Sequence, residues 1–143
     1  MIRFSIEDCW LTLKNRMPLK KWLAKVAEEE RKRVGELCFI FCSDSYLLNI
    51  NQRFLSHNYY TDVITFDYSE ADYISGDVFI SVDTVRVNAK EYAQAFESEL
   101  FRVMVHGVLH LCEYKDHSDE EKQQMRAKED YYLAKLGEFL KKT

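Results

Sequence analysis

The period of apolar positions changes several times along this chain, and each change marks an element. Ile2, Phe4 and Ile6 alternate with polar residues, which predicts a half-buried first strand. Beyond Pro18 the period lengthens. Leu19, Trp22, Leu23, Val26 and Ala27 recur at helical spacing, and Gly35 is the expected C-terminal cap of that helix. Leu37–Cys42 is apolar at every position and rich in β-formers, as in a strand buried on both faces. Strand, helix and strand in that order predict a right-handed parallel crossover. Ser43–Ser45 supplies caps for a second helix carrying Leu47, Leu48, Asn51 and Leu55. A polar loop from Ser56 to Tyr60 leads into the alternating run Thr61–Asp67, a loop follows over Ser69–Ser75, and Gly76–Val82 alternates again. Two such runs so close in sequence predict an antiparallel pair.

From Asp83 the pattern is helical to the end. Asp83 is the expected cap of a helix with Val85, Ala89, Tyr92, Ala93 and Phe96 on its core side, and Ser98 opens the next. Ser118 and Glu121 form a capping box for a last helix, whose Met125, Tyr132, Leu133, Leu136 and Leu140 face inward. The expectation is an α+β fold in a single domain over residues 1–143. A small mixed four-stranded sheet packs with about five helices, one of them central and buried.

Composition narrows the setting. A chain of 143 residues is long enough to bury about 70% of its unfolded surface. Met1–Trp10 has no signal-peptide pattern and the longest purely apolar run, Leu37–Cys42, is far too short for a bilayer, so a cytoplasmic protein without membrane contact is expected. Cys9, Cys38, Cys42 and Cys112 form no CxxC pair and read as free thiols. A net charge of −4 argues against a broadly basic nucleic-acid surface. Lys20, Lys21, Lys25, Arg31, Lys32 and Arg33 make the first helix locally basic, most simply as a solvated face.

The chemistry gathers in Val105–His117, which holds three of the four histidines. His106 and His110 are four residues apart in an apolar run, so a helix places both imidazoles on one face. They belong to a narrow polar stripe, Glu99, Arg102, His106, His110 and Glu113, on a helix otherwise apolar around most of its circumference. An unpartnered buried polar group costs about 1–3 kcal/mol, so the stripe needs partners. Two core histidines bonded to carbonyls would be the plain solution. A metal ion held by both, with His117 near enough to join, is the one preferred, since three protein ligands and an open position make a catalytic zinc site. The peptidase template H-E-x-x-H has its general base where this chain has Gly107, which argues against peptide hydrolysis. Hydrolysis of another bond stays open, because zinc lowers the pKa of its water to about 7.

His106-Gly107-Val108-Leu109-His110-Leu111 resembles the H-G-x-L-H-L-x-G-Y-D-H signature of the YbeY family of bacterial endoribonucleases. Leu48-Asn49-Ile50-Asn51-Gln52-Arg53 is similar to that family's L-N-x-x-[YF]-R, Thr61–Phe66 to its T-D-V-L-S-F strand and Gly76–Ser81 to its G-D-I-x-I-S strand, in the same order. The resemblance implies a zinc-dependent, single-strand-specific endoribonuclease. It would act in ribosomal RNA maturation at the 16S rRNA 3′ end and in ribosome quality control, with the small ribosomal subunit and its proteins as partners; independently of the resemblance, a monomer is expected. It further implies Zn2+ on His106, His110 and a third ligand, and a phosphate-binding role for Arg53. Thr61, Asp62, Gly76 and Asp77 are expected to be mainly structural.

The third ligand is where this chain departs from the pattern. Six residues separate His110 from the next histidine, where the signature has five, so Asp116 falls in register and His117 lies one beyond. Glu113 stands at the signature's turn glycine. Either the helix runs further and delivers His117, or the turn is kept and Asp116 ligates; His117 is preferred because three imidazoles match the family chemistry. The competing functions are a metalloprotease-like hydrolase and a non-catalytic ribosome assembly factor with a structural metal.

Overall fold

The computed structural model describes residues 1–55 and 61–141, so the polar loop expected over 56–60 lies outside the described residues. The elements are β1 (Ile2–Glu7), α1 (Arg16–Glu29), β2 (Arg33–Cys42), α2 (Asp44–Leu55), β3 (Val63–Asp67), β4 (Tyr73–Ser81), α3 (Val82–Glu91), α4 (Phe96–Leu111) and α5 (Asp119–Leu140). The sheet order is β1-β2-β4-β3. β1 and β4 flank β2 in parallel, and β3 pairs antiparallel with β4, so the mixed sheet and the antiparallel pair are both as expected.

Strand periodicity divides the core in two. Ile74, Val78 and Ile80 of β4 join Leu37, Phe39 and Phe41 of β2 in the larger cluster, which Leu19, Trp22, Met104, Val105 and Val108 complete from α1 and α4. Phe79, one residue out of phase, faces the other side with Ile64 and Phe66 of β3. There Leu47, Tyr46 and Ile50 of α2 cover the sheet. The remaining residues of β3, Val63, Thr65 and Asp67, therefore point to the α4 side. α4 is buried along most of its length, with ten of its 16 residues buried, and it packs against α1, α3, α5, β3 and β4.

Several helix ends differ from the sequence expectation. α1 stops at Glu29, and Arg31 rather than Gly35 takes the left-handed conformation, with φ 63°. Gly35 instead sits in β2 at a register irregularity, where a Cβ would lie 2.3 Å from Ser75 Oγ. The α3 cap is Ser81, whose hydroxyl accepts the Thr84 N–H at 3.1 Å, and not Asp83. α4 begins at Phe96, two residues before the expected Ser98, and Tyr92 and Ala93 leave the core side for the surface. The Ser118–Glu121 capping box of α5 forms as expected.

α5 is tied to α1 by Glu30, at the C-terminal end of α1. Its carboxylate accepts hydrogen bonds from Tyr114 (2.7 Å), Lys128 (3.2 Å) and Tyr132. Burial pushes the Glu30 carboxyl up, but these three donors outweigh it and hold it below the ordinary 4.5. The folded form therefore binds its proton less readily than the unfolded chain, and Glu30 contributes stability above the unfolded pKa that is lost as pH falls through the lower folded value. Urea unfolding of Glu30→Gln should show a loss of about 1.5–3 kcal/mol at neutral pH, as for hydrogen bonds to a charged group. The loss should shrink as pH falls below about 4.5. An unchanged gap between variant and wild type down to the acid limit would contradict this assignment.

Candidate metal centre

α4 ends in a turn that determines what reaches its histidines. The Glu113 N–H donates to the His110 carbonyl at 3.0 Å and the Tyr114 N–H to the Leu109 carbonyl at 3.1 Å, with Glu113 at φ 78°. That is a Schellman closure with glutamate in the left-handed position that glycine usually fills. The turn is thus kept, the helix does not run on, and the chain comes back over the helix end with Asp116 in register. His106 Nε2 lies 3.4 Å from Asp116 Oδ2, and His110 Nε2 lies 3.4 Å from Asp116 Oδ1. The candidate ligand atoms of all three residues fall within 4.8 Å of one another.

His117 stands differently. It is exposed, its backbone N–H donates to Glu121 Oε1 at 3.2 Å as part of the α5 start, and it also lines the same cavity. Of the two candidates for the third position, the geometry groups Asp116 with the imidazoles. Arg53 is exposed near the end of α2, its guanidinium 5.7 Å from the Phe54 ring, and it is not among the described residues that line the cavity.

The cavity over the histidines has a volume of about 590 Å³ and opens to solvent. Its walls come from four elements: Val63, Thr65 and Asp67 of β3 with the preceding Thr61 and Asp62, Asn88 of α3, Glu99 and Arg102 of α4, and Arg126 and Glu129 of α5. Thr61 and Asp62, expected from sequence to be mainly structural, therefore border the histidines. Gly76 does have the structural role expected of it, since a Cβ there would meet the Phe66 carbonyl oxygen at 2.3 Å. Glu129 and Arg126 gave no sequence signal beyond lying on a polar helix face, and they reach the cavity only because α5 folds back along α4.

Electrostatics sort the titratable groups. Burial lifts the Asp62 carboxyl above its ordinary value, and the Asp116 charge adds to this against the pull of His106. Burial likewise raises Glu99. His106 is desolvated too, but the carboxylate of Glu129, 2.7 Å from Nδ1, outweighs that and raises its pKa. Burial and the neighbouring His106 lower His110. Two imidazoles packed 5.2 Å apart, centroid to centroid, among carboxylates make a place for a cation rather than for an anion.

The donor set fits a metal ion. Ligand atoms about 2.0–2.2 Å from a tetrahedral zinc stand about 3.3–3.6 Å from one another. Each imidazole Nε2 stands 3.4 Å from its own Asp116 oxygen, Oδ2 for His106 and Oδ1 for His110, close to that spacing. Both separations exceed the roughly 2.7–3.2 Å of a well-made N–H···O bond.

A model of the endoribonuclease YbeY family matches residues 7–137. The chain belongs to the YbeY family. A protein of Porphyromonas gingivalis named endoribonuclease YbeY is 48% identical over 137 residues, which cover 96% of this chain and 91% of that protein. One of Flavobacterium psychrophilum with the same name is 54% identical over 112 residues, 78% of this chain and 80% of the relative. The solution structure of a Thermotoga maritima protein superposes with a TM-score of 0.70 at 30% identity, covering 99% of this chain and 93% of its own. In this YbeY-family chain the matched region contains all of the candidate centre. Among the described residues no helix is long and apolar enough to cross a membrane, and all four cysteines are free.

Proposed function

We propose that this chain is a zinc-dependent endoribonuclease that cleaves single-stranded RNA in the maturation of ribosomal RNA, at the 3′ end of 16S rRNA. It works in the cytoplasm on the small ribosomal subunit and in ribosome quality control. One observation carries the reading: two imidazoles and a carboxylate converge within 4.8 Å at an open cavity, in a chain whose relatives are named endoribonucleases. The site is assigned to His106, His110 and Asp116 as ligands, with His117 on the rim. Zinc suits two nitrogens and one oxygen with a position left open, and phosphodiester hydrolysis needs no redox change. When bound, the ion supplies a Lewis acid for the phosphoryl oxygens and activation of the attacking group.

The chain's own residues do the rest. Arg102 lines the cavity with Nη1 engaged by Glu129 at 2.8 Å and Nη2 by Asp130 at 2.6 Å, which fixes its guanidinium in place. Arg126, exposed on the cavity wall, is a cation that can take a backbone phosphate. Arg53 keeps a phosphate-binding role on the strength of its motif. Asp62 presents a desolvated carboxyl whose raised pKa suits proton exchange with the reacting groups.

Metal analysis and cleavage assays on two single variants test the ligand assignment. Asp116→Ala should lower zinc affinity by more than the roughly 10–100-fold of an outer-shell change, and single-stranded RNA cleavage should fall with it. His117→Ala should leave zinc content intact. Zinc lost from His117→Ala alone would reverse the assignment. Products ending in a 2′,3′-cyclic phosphate would identify the RNA 2′-hydroxyl as the nucleophile, and a direct 5′-phosphate product would identify water.

A further inference from the structure

We propose that Glu129 is a positioning residue of the metal centre, which, anchored by Arg102, fixes the ring tautomer and orientation of His106. The proposal rests on His106, His110 and Asp116 being the ligand set. Glu129 lies on α5, its side chain only 8% exposed, and each carboxylate oxygen has a separate task. Oε1 accepts from Arg102 Nη1 at 2.8 Å, and Oε2 stands 2.7 Å from His106 Nδ1. Arg102 is itself pinned, because its Nη2 donates to Asp130 Oδ1 at 2.6 Å.

The shorter of the two carboxylate contacts, that of Glu129, decides where the neutral imidazole keeps its proton. A guanidinium only donates and a carboxylate only accepts, so the proton between Glu129 and His106 sits on Nδ1. The lone pair of the neutral ring is then on Nε2, the atom that faces Asp116 at 3.4 Å. A ligating histidine needs that tautomer, and the carboxylate bond also raises the basicity of the ligating nitrogen. A salt bridge that merely joined α4 to α5 would be satisfied by Arg102 and Asp130 alone. It would not account for the second oxygen of Glu129 pointing at the ring.

Glu129→Gln separates these readings because it keeps the shape and changes the hydrogen count. The amide has one oxygen and one NH2. The NH2 cannot face the Arg102 guanidinium, since both would donate, so the oxygen turns to Arg102 and the NH2 to His106. Nδ1 must then accept, the ring proton moves to Nε2, and the ligating lone pair is lost.

The test is 15N NMR of the histidine rings in the metal-free full chain at alkaline pH, together with zinc titration of wild type and Glu129→Gln. The expected results are His106 protonated at Nδ1 in wild type, at Nε2 in the variant, and zinc affinity about 10–100-fold lower in the variant. A wild-type His106 protonated at Nε2, or a folded variant with wild-type zinc affinity, overturns the proposal. Should the variant not fold, the wild-type spectrum alone decides. Should wild type take up no zinc, the ligand set is wrong, while the ring spectra still report on Glu129.

Discussion

His110→Ala is expected to abolish RNA cleavage while leaving the metal-free protein folded. The ring is one of two imidazoles at the centre, and its removal leaves one nitrogen and one carboxylate for the ion. A bound ion contributes several kcal/mol to a phosphoryl transition state, so at about 1.36 kcal/mol per decade a loss of about 1,000-fold or more in kcat/KM is expected. The cost to the metal-free fold is small. The side chain is a third exposed and its nearest charged partner is Asp116 at 3.4 Å, so stability should change by no more than about 1 kcal/mol. Cleavage of single-stranded RNA, zinc content and urea unfolding, measured on one preparation, give the three numbers. The same variant addresses the assembly-factor reading. If zinc is lost and stability of the zinc-loaded protein falls but ribosomal RNA processing in cells stays intact, the ion only braces the fold and the assembly-factor reading holds.

His106 and His110 were legible because two imidazoles one helical turn apart, inside an apolar run such as Val103–Leu111, need a partner they can share. The third position was harder. Counting placed Asp116 in register, but the choice depended on whether Glu113 would accept a left-handed backbone, a cost of about 1–2 kcal/mol for a residue with a Cβ. It does so at φ 78°, as Arg31 and Ala93 do at two other helix ends. In a chain with four glycines, none of them at positive φ, the glycine rule misplaced the end of α1. Gly35 and Gly76 are spent on close approaches of backbone and side chain instead.

The rest of the site was hidden for a topological reason. Asp62 just before β3, Glu99 on α4 and Glu129 on α5 meet only when β3 pairs with β4 and α5 returns along α4. Nothing local distinguishes Glu129 from the other acids of α5, and only burial against His106 and Arg102 sets it apart. The polar stripe on α4 did announce that partners were required. Arg102 found them on α5, and Glu113, the last member, turned outward to Lys32 at 3.4 Å.

Gly107→Glu is the substitution that would restore the peptidase motif, and it is expected to cost the fold rather than create a protease. Position 107 faces the sheet: a Cβ built there meets Val78 Cγ1 at 2.8 Å and Cγ2 at 3.2 Å, and Val78 is fully buried. Glycine is present because α4 and β4 approach closely at that point, which brings the histidines over the end of β3. A glutamate would place a carboxylate against this apolar contact with no partner, and burying an unpaired charge together with the overlap should exceed about 4–5 kcal/mol. The variant should fail to accumulate as a folded chain. Gly107→Ala isolates the steric part. Overpacking costs about 1–3 kcal/mol, against which alanine recovers roughly 1 kcal/mol of helix propensity, so a net loss of up to about 2 kcal/mol is expected. Val78→Ala removes the two methyl groups that the new Cβ meets. In the double variant Gly107→Ala/Val78→Ala the losses should therefore not add, with a favourable coupling of about 1 kcal/mol or more in urea unfolding. Strict additivity would mean that Gly107 serves something other than this contact. A folded, peptide-cleaving Gly107→Glu protein would return the site to the peptidases.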